Sequence, residues 1–127
     1  MKSPNKNGTS KKTVLHFTAA WVPPEGETED PSCSVSGMVQ VVDGVPTTQP
    51  AYLTYRDHEE DGKPGWWLAI SIPTKKQISF GPAYLEVELY KTNLHHTKIE
   101  RGSVFSITTT DGTVARYSIA KVEVLAG

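Results

Sequence analysis

Apolar residues alternate with polar ones at several places along the chain, and at none do they recur at helical spacing over three turns. In 13–21, Leu15, Phe17, Ala19 and Trp21 take one parity while Val14, His16, Thr18 and Ala20 take the other, which predicts a half-buried strand. A second strand is expected over 35–42, ending at the turn dipeptide Asp43-Gly44. Segments 51–56 and 66–72 predict a hairpin around an acidic connection that contains His58, Glu59, Glu60 and Asp61. In its second arm Trp66, Leu68, Ile70 and Ile72 share one face and Trp67, Ala69 and Ser71 the other, so the sheet carries a tryptophan on each side.

Residues 73–82 read as a basic, glycine-containing connection with Lys75 and Lys76. The next segment, 84–91, alternates most regularly, and the pattern turns Leu85, Val87 and Leu89 inward with Glu86, Glu88 and Tyr90 toward water. Segment 93–101 is polar and holds His95 and His96. Segments 103–110 and 113–125 flank Asp111-Gly112, a strong hairpin signal. In the last segment Ala115, Tyr117 and Ile119 share one parity and Ala120, Val122 and Val124 the other, so a bulge near Ile119 is needed to keep apolar side chains on one side. Seven strands with turn signals about every ten residues call for a single all-β domain, a closed barrel or a sandwich, over 13–127.

Two stretches stand apart. Residues 1–12 carry four lysines among Ser, Asn, Gly and Pro, the composition of a flexible basic tail. Between the first two strands, 22–34 contains three prolines and four acids, including Glu27 and Glu29, and forms a long acidic loop of the kind that sometimes binds partners.

Composition narrows the functional classes. The chain has 127 residues, 37% hydrophobic, enough for one core, and its formal charge of -1 gives no global field to attract DNA. No apolar run approaches the length of a membrane span, and no export signal follows the first residues, so the expected location is the cytoplasm. The Asn7-Gly8-Thr9 sequon then carries no glycan. Cys33, flanked by serines and an acidic stretch, is expected to be an inert loop thiol.

The chain lacks a P-loop, a dinucleotide-binding fingerprint, Gly-x-Ser-x-Gly, His-Glu-x-x-His and any Cys-x-x-Cys pair. No catalytic set emerges, and the expectation is a non-enzymatic protein without a cofactor. His58, His95 and His96 could hold a metal only if loops brought them together, and otherwise are ordinary surface histidines. Aromatic and basic residues do interleave: Trp66, Trp67, Arg56, Lys75 and Lys76 form a candidate binding group, against the plainer reading of one tryptophan in the core and one covering a barrel end.

One segment carries a resemblance. In 102–122, Gly102, Phe105, Ile107, Thr113, Val114, Lys121 and Val122 fall in the pattern of a closing hairpin, and Leu85-Glu86-Val87-Glu88-Leu89 fits the strand that enters it. This hairpin resembles that of the third domain of elongation factor Tu, over about twenty residues closely and about forty-five loosely. The resemblance implies a stand-alone six-stranded antiparallel barrel, without the GTP-binding domain or the second barrel, so the expected fold is a closed all-β antiparallel barrel of about six to seven strands. In that family the barrel helps to hold aminoacyl-tRNA. Here Thr108, Thr109, Thr110 and Asp111 replace a charged, glycine-rich turn, and Ala115 and Tyr117 replace glycines, so the resemblance carries the fold and not the tRNA site. The expected function is protein–protein binding, with an RNA-associated role or a small-ligand or metal site as alternatives.

Overall fold

The computed structural model describes residues 11–30, 33–56, 65–79 and 89–126, with the backbone alone for Trp66 and Trp67. Most of the tail, the acidic connection with His58, the 84–88 part of the expected fifth strand and the side chains of both tryptophans lie outside the described residues.

The domain is an antiparallel barrel. Its strands are β1 (Lys12–Val22), β2 (Ser34–Val42), β3 (Val45–Pro46), β4 (Tyr52–Arg56), β5 (Trp66–Ile72), β6 (Gln77–Ser79), β7 (Leu89–Thr92), β8 (Val104–Thr108) and β9 (Val114–Ala126). The ring runs β1-β9-β8-β7-β6-β5-β4-β2 and closes through the β1–β2 pairing, leaving β3 outside on β2. Eight strands close the ring where seven were expected, and parity explains the eighth. Strands β5 and β7 run in the same direction, so pairing them directly would insert a parallel ladder. The three residues of β6, expected to be part of a connection, sit between them and keep every neighbour antiparallel.

Burial follows the expected parity on β1, where Leu15, Phe17 and Ala19 line the core. On β9, Tyr117 and Ile119 are buried, and the register against β1 slips at Thr18/Ala19, leaving Ala120 as an extra residue. This is the bulge that the parity change near Ile119 demands, and it returns Val122 to the core side. On β5 the small residues Ala69 and Ser71 face in, while Leu68 is 67% exposed. On β7 the expected orientation is reversed: Leu89 is exposed, and Tyr90 packs against the core with its ring edge-on to Tyr55 at 6.5 Å. Tyrosine covers more apolar area than leucine and gains a directed ring contact, so it takes the inward site.

An eight-stranded barrel has an interior just wide enough to be filled by side chains. Here a continuous series of rings occupies it: Phe17 edge-on to Phe105 (6.0 Å), Phe105 stacked on Tyr117 (5.7 Å), then Tyr55 (6.4 Å) and Tyr90. Gly37 faces inward on β2 because nothing larger fits: a Cβ there would lie 2.5 Å from the Tyr52 carbonyl oxygen and 2.6 Å from a Leu53 methyl.

Strands β7 and β8 share only two register pairs. Beyond them side chains continue the ladder: the Ser106 amide donates to Asn93 Oδ1 (2.8 Å), and Thr92 Oγ1 donates to the Ser106 carbonyl (2.8 Å). The seam is thereby sealed where the backbone diverges, and the chain turns across the barrel end.

Candidate functional site

Strand direction sorts the connections between the two ends. Residues 23–33 and 109–113 lie at one end, where Arg56 finishes β4 and Trp66 begins β5. The connections 43–51, 73–76 and 93–103 lie at the other end, where β1 begins and β9 ends.

This geometry divides the aromatic and basic residues singled out by sequence. Arg56 is the register partner of Trp66 and shares its end with the exposed acids Glu27 and Glu29. Lys75 and Lys76, both exposed, lie beyond the far end of β5 in a 3-10 turn, Pro73–Lys75, closed by Lys76 in the left-handed conformation (φ 54°). Seven residues of strand place the two groups about 20 Å apart. The expected aromatic-basic group is therefore two separate features, with Arg56 among acids and the lysines apart.

What the fold does assemble is a wall. Across the outside of the barrel the register aligns Met38 on β2, Tyr52 on β4, Ile70 on β5, Ser79 on β6 and Leu89 on β7 in one row. Leu68 stands two residues along β5 from Ile70, opposite Thr54. Tyr52 and Leu68 are each 67% exposed and Met38 46% exposed. At a strand spacing of about 4.8 Å the row spans roughly 19 Å.

Charge lies at the two ends of this row: Lys91 stands two residues along β7 from Leu89, and His16 on β1 is the register partner of Met38. The other outward positions of β2 are Ser34, Ser36, Gln40 and Val42, and those of β4 and β5 add Thr54, Ile72 and, at the rim, Arg56. Arg56 is the one charged side chain among the described outward residues of these three strands. The adjoining wall differs: β1, which pairs directly with β2, and β9 carry His16, Arg116, Lys121 and Glu123, the last two paired at 2.9 Å. The β2-β4-β5 side is thus nearly free of charge, while β8 and β9 mix exposed Val104, Val114 and Val124 with charged residues. Sequence reasoning found the alternation that makes both walls. It missed the apolar one because alignment across five strands is a matter of register.

At the far end the 93–103 segment crosses the barrel opening. Leu94 and Ile99 are almost completely buried, and the Ile99 amide donates to the Gly44 carbonyl at 2.7 Å. His95, expected at the surface, is 8% exposed, with Nε2 2.9 Å from the Ser71 hydroxyl oxygen. That same oxygen accepts the Ala51 amide proton at 2.7 Å. Burial holds the imidazole pKa below its ordinary 6.5; the nearby Thr47 carbonyl opposes this, and His96 adds to it. His95 Nδ1 has no hydrogen-bond partner. His96 is exposed, and His58 lies outside the described residues.

A serine hydroxyl at hydrogen-bond distance from an imidazole has the spacing of a nucleophile and its base. Ser71 is nevertheless fully buried, so no substrate carbonyl reaches it in this conformation, and the Ser71–His95 contact works as a structural tie. Among the described residues no three metal-ligating side chains come together. No described helix is long and apolar enough to cross a membrane.

The fold and these surfaces define a closed antiparallel β-barrel with a filled core and one apolar outer wall. Comparison with protein-family models, with curated proteins and with solved structures gave no match.

Proposed function

We propose that the chain is a non-enzymatic binding module of the cytoplasm that engages a protein partner through the β2-β4-β5 wall. The observation that carries this reading is the row Met38, Tyr52 and Ile70, with Leu68 beside it, on three strands whose described outward residues include one charge, Arg56. Interface cores are depleted in charged residues and enriched in aromatic residues and methionine, and contiguous exposed apolar patches on a monomer mark such sites. The partner that fits is a protein with an apolar, uncharged contact face. Glu27, Glu29 and Arg56 at the rim would then set orientation and encounter rate rather than affinity.

The resemblance of 102–122 to the third domain of elongation factor Tu supplies the second reading, an RNA-associated module. The lysines of the tail favour it, as do Lys75 and Lys76, and these last two lie outside the apolar wall.

The test is affinity capture from native lysate with the wild-type chain and with Leu68→Glu and Tyr52→Glu variants. Retention of a partner by the wild type, unaffected by nuclease and lost on either substitution, supports the wall. Retention that both variants preserve overturns it. Nuclease-sensitive retention that weakens steeply with salt assigns the chain to the RNA reading instead.

A further inference from the structure

The 93–103 segment closes one end of the barrel through a histidine that is buried without a full set of partners. Leu94 and Ile99 supply its apolar contacts; its two ends are tied to the flanking strands through Asn93 Oδ1, Gly102 N–H and the Ser103 carbonyl, and two further polar ties reach across the barrel end: Ile99 N–H to Gly44, and His95 Nε2 to Ser71. The first is a neutral backbone bond insensitive to pH. The second depends on the ionisation state of the ring.

The Ser71 oxygen already accepts the Ala51 amide. The serine proton is free to go to His95 Nε2, which accepts it only as a neutral imidazole. That arrangement places the ring proton on Nδ1. Adding a second proton turns Nε2 into a donor, removes the acceptor of the serine hydroxyl, and puts a charged ring in a site that is 8% exposed, where the nearby Thr47 carbonyl offsets only part of the burial. We infer that the central part of the 93–103 segment is an acid-released plug: protonation of His95 reverses its bond to Ser71, leaves the serine proton without its acceptor and buries a charge, which favours release of this end of the barrel and uncovers Leu94 and Ile99.

The charged groups around the plug do not rescue the protonated ring. Its own segment carries His96, Lys98, Glu100 and Arg101, of which Lys98 and Glu100 pair with each other at 3.6 Å. The β2–β3 turn packed against it contributes Asp43, and the β5–β6 turn contributes Lys75 and Lys76. Of these, His96 is the one whose charge acts on His95, and it opposes protonation.

The direction follows from linkage. A ring that stays neutral when docked and titrates at 6.5 when released makes docking fully stable above that pH. Docking weakens as pH falls through it, down to the lower pKa of the docked ring. Between pH 7.0 and 5.5 the opening equilibrium then rises by up to roughly eightfold if the docked ring remains neutral throughout.

Two measurements decide the matter. Amide exchange, corrected for the intrinsic pH dependence, should lose roughly eightfold protection at Thr97 and Ile99 between pH 7.0 and 5.5, while Phe17, Val39 and Tyr117 keep theirs. In His95→Gln, which has no titrating ring, the ratio between the two pH values should fall to one. Equal pH dependence in wild type and variant overturns the proposal. Because His95→Gln could itself fail to dock, the His95 ring is also titrated by NMR in the wild-type chain: a value below the ordinary 6.5 supports the plug, and a value at or above it overturns the proposal.

Discussion

Replacing Gly37 by alanine puts the close approach of β2 and β4 to a direct test. In an ordinary strand interior this change favours folding by about 0.5–1 kcal/mol, because alanine has less conformational freedom to lose than glycine. Here the added Cβ meets the Tyr52 carbonyl oxygen at 2.5 Å and the Leu53 Cα at 3.2 Å, so backbone, not only a side chain, must give way. Gly37 is the register partner of both Phe17 and Leu53, which are almost completely buried, and the barrel wall cannot shift there without disturbing the core on both sides. Overpacking of this kind costs about 1–3 kcal/mol, and backbone resistance puts this site at the upper end. The net expectation is a loss of about 2 kcal/mol, read as a lower urea midpoint at unchanged slope and a Tm lower by about 8 °C. A midpoint equal to or above that of the wild type would refute the reasoning, since the propensity gain would then have exceeded the steric cost. Gly37→Ala also moves Tyr52, so capture of a partner at the wall should weaken with it.

Other outcomes follow from single contacts. Ser71→Ala strands the buried Ala51 amide as well as His95 Nε2 and should cost about 2–3 kcal/mol in urea unfolding, while Ser71→Thr keeps the hydroxyl and should recover part of that. Phe105→Ala removes the ring between Phe17 and Tyr117 and should cost about 3–5 kcal/mol, read as a lower urea midpoint followed by circular dichroism. Leu68→Glu, on an exposed outward site, should shift stability by no more than about 0.5 kcal/mol while abolishing partner retention, separating binding from folding. The Asp111 carboxyl accepts hydrogen bonds from the Thr109 hydroxyl and the Thr113 amide, which lower its pKa from 3.8 to about 2. The turn is therefore stabilised above pH 3.8 and loses that contribution as pH falls toward 2; an NMR titration of Asp111 near 3.8 would contradict the bonding.

Much of the barrel was legible because each strand carries its own evidence. The parity of Leu15, Phe17 and Ala19 placed β1, Asp111-Gly112 placed the β8–β9 hairpin, and the change of parity after Ile119 required the bulge found at Ala120. These are local signals, written within a few residues of the feature they specify. The candidate site was much less legible. Arg56 and Lys75 are close enough in sequence to suggest one binding group, yet an intervening strand is a rigid spacer and holds them at opposite ends.

The sequence by itself determined the fold class, most strands and the turns between them, because alternation and turn chemistry act over spans of two to ten residues. Tertiary structure alone decided the rest. It made a strand of Gln77–Ser79, because an antiparallel ring needs an even number of members. It turned Tyr90 inward and Leu89 outward, because a ring partner at Tyr55 was waiting across the barrel. It buried His95 over Ser71, twenty-four residues away in sequence, and lined up Met38, Tyr52 and Ile70 on one wall through register. Each of these depends on which distant residue lies opposite, and that pairing exists only once the barrel has closed.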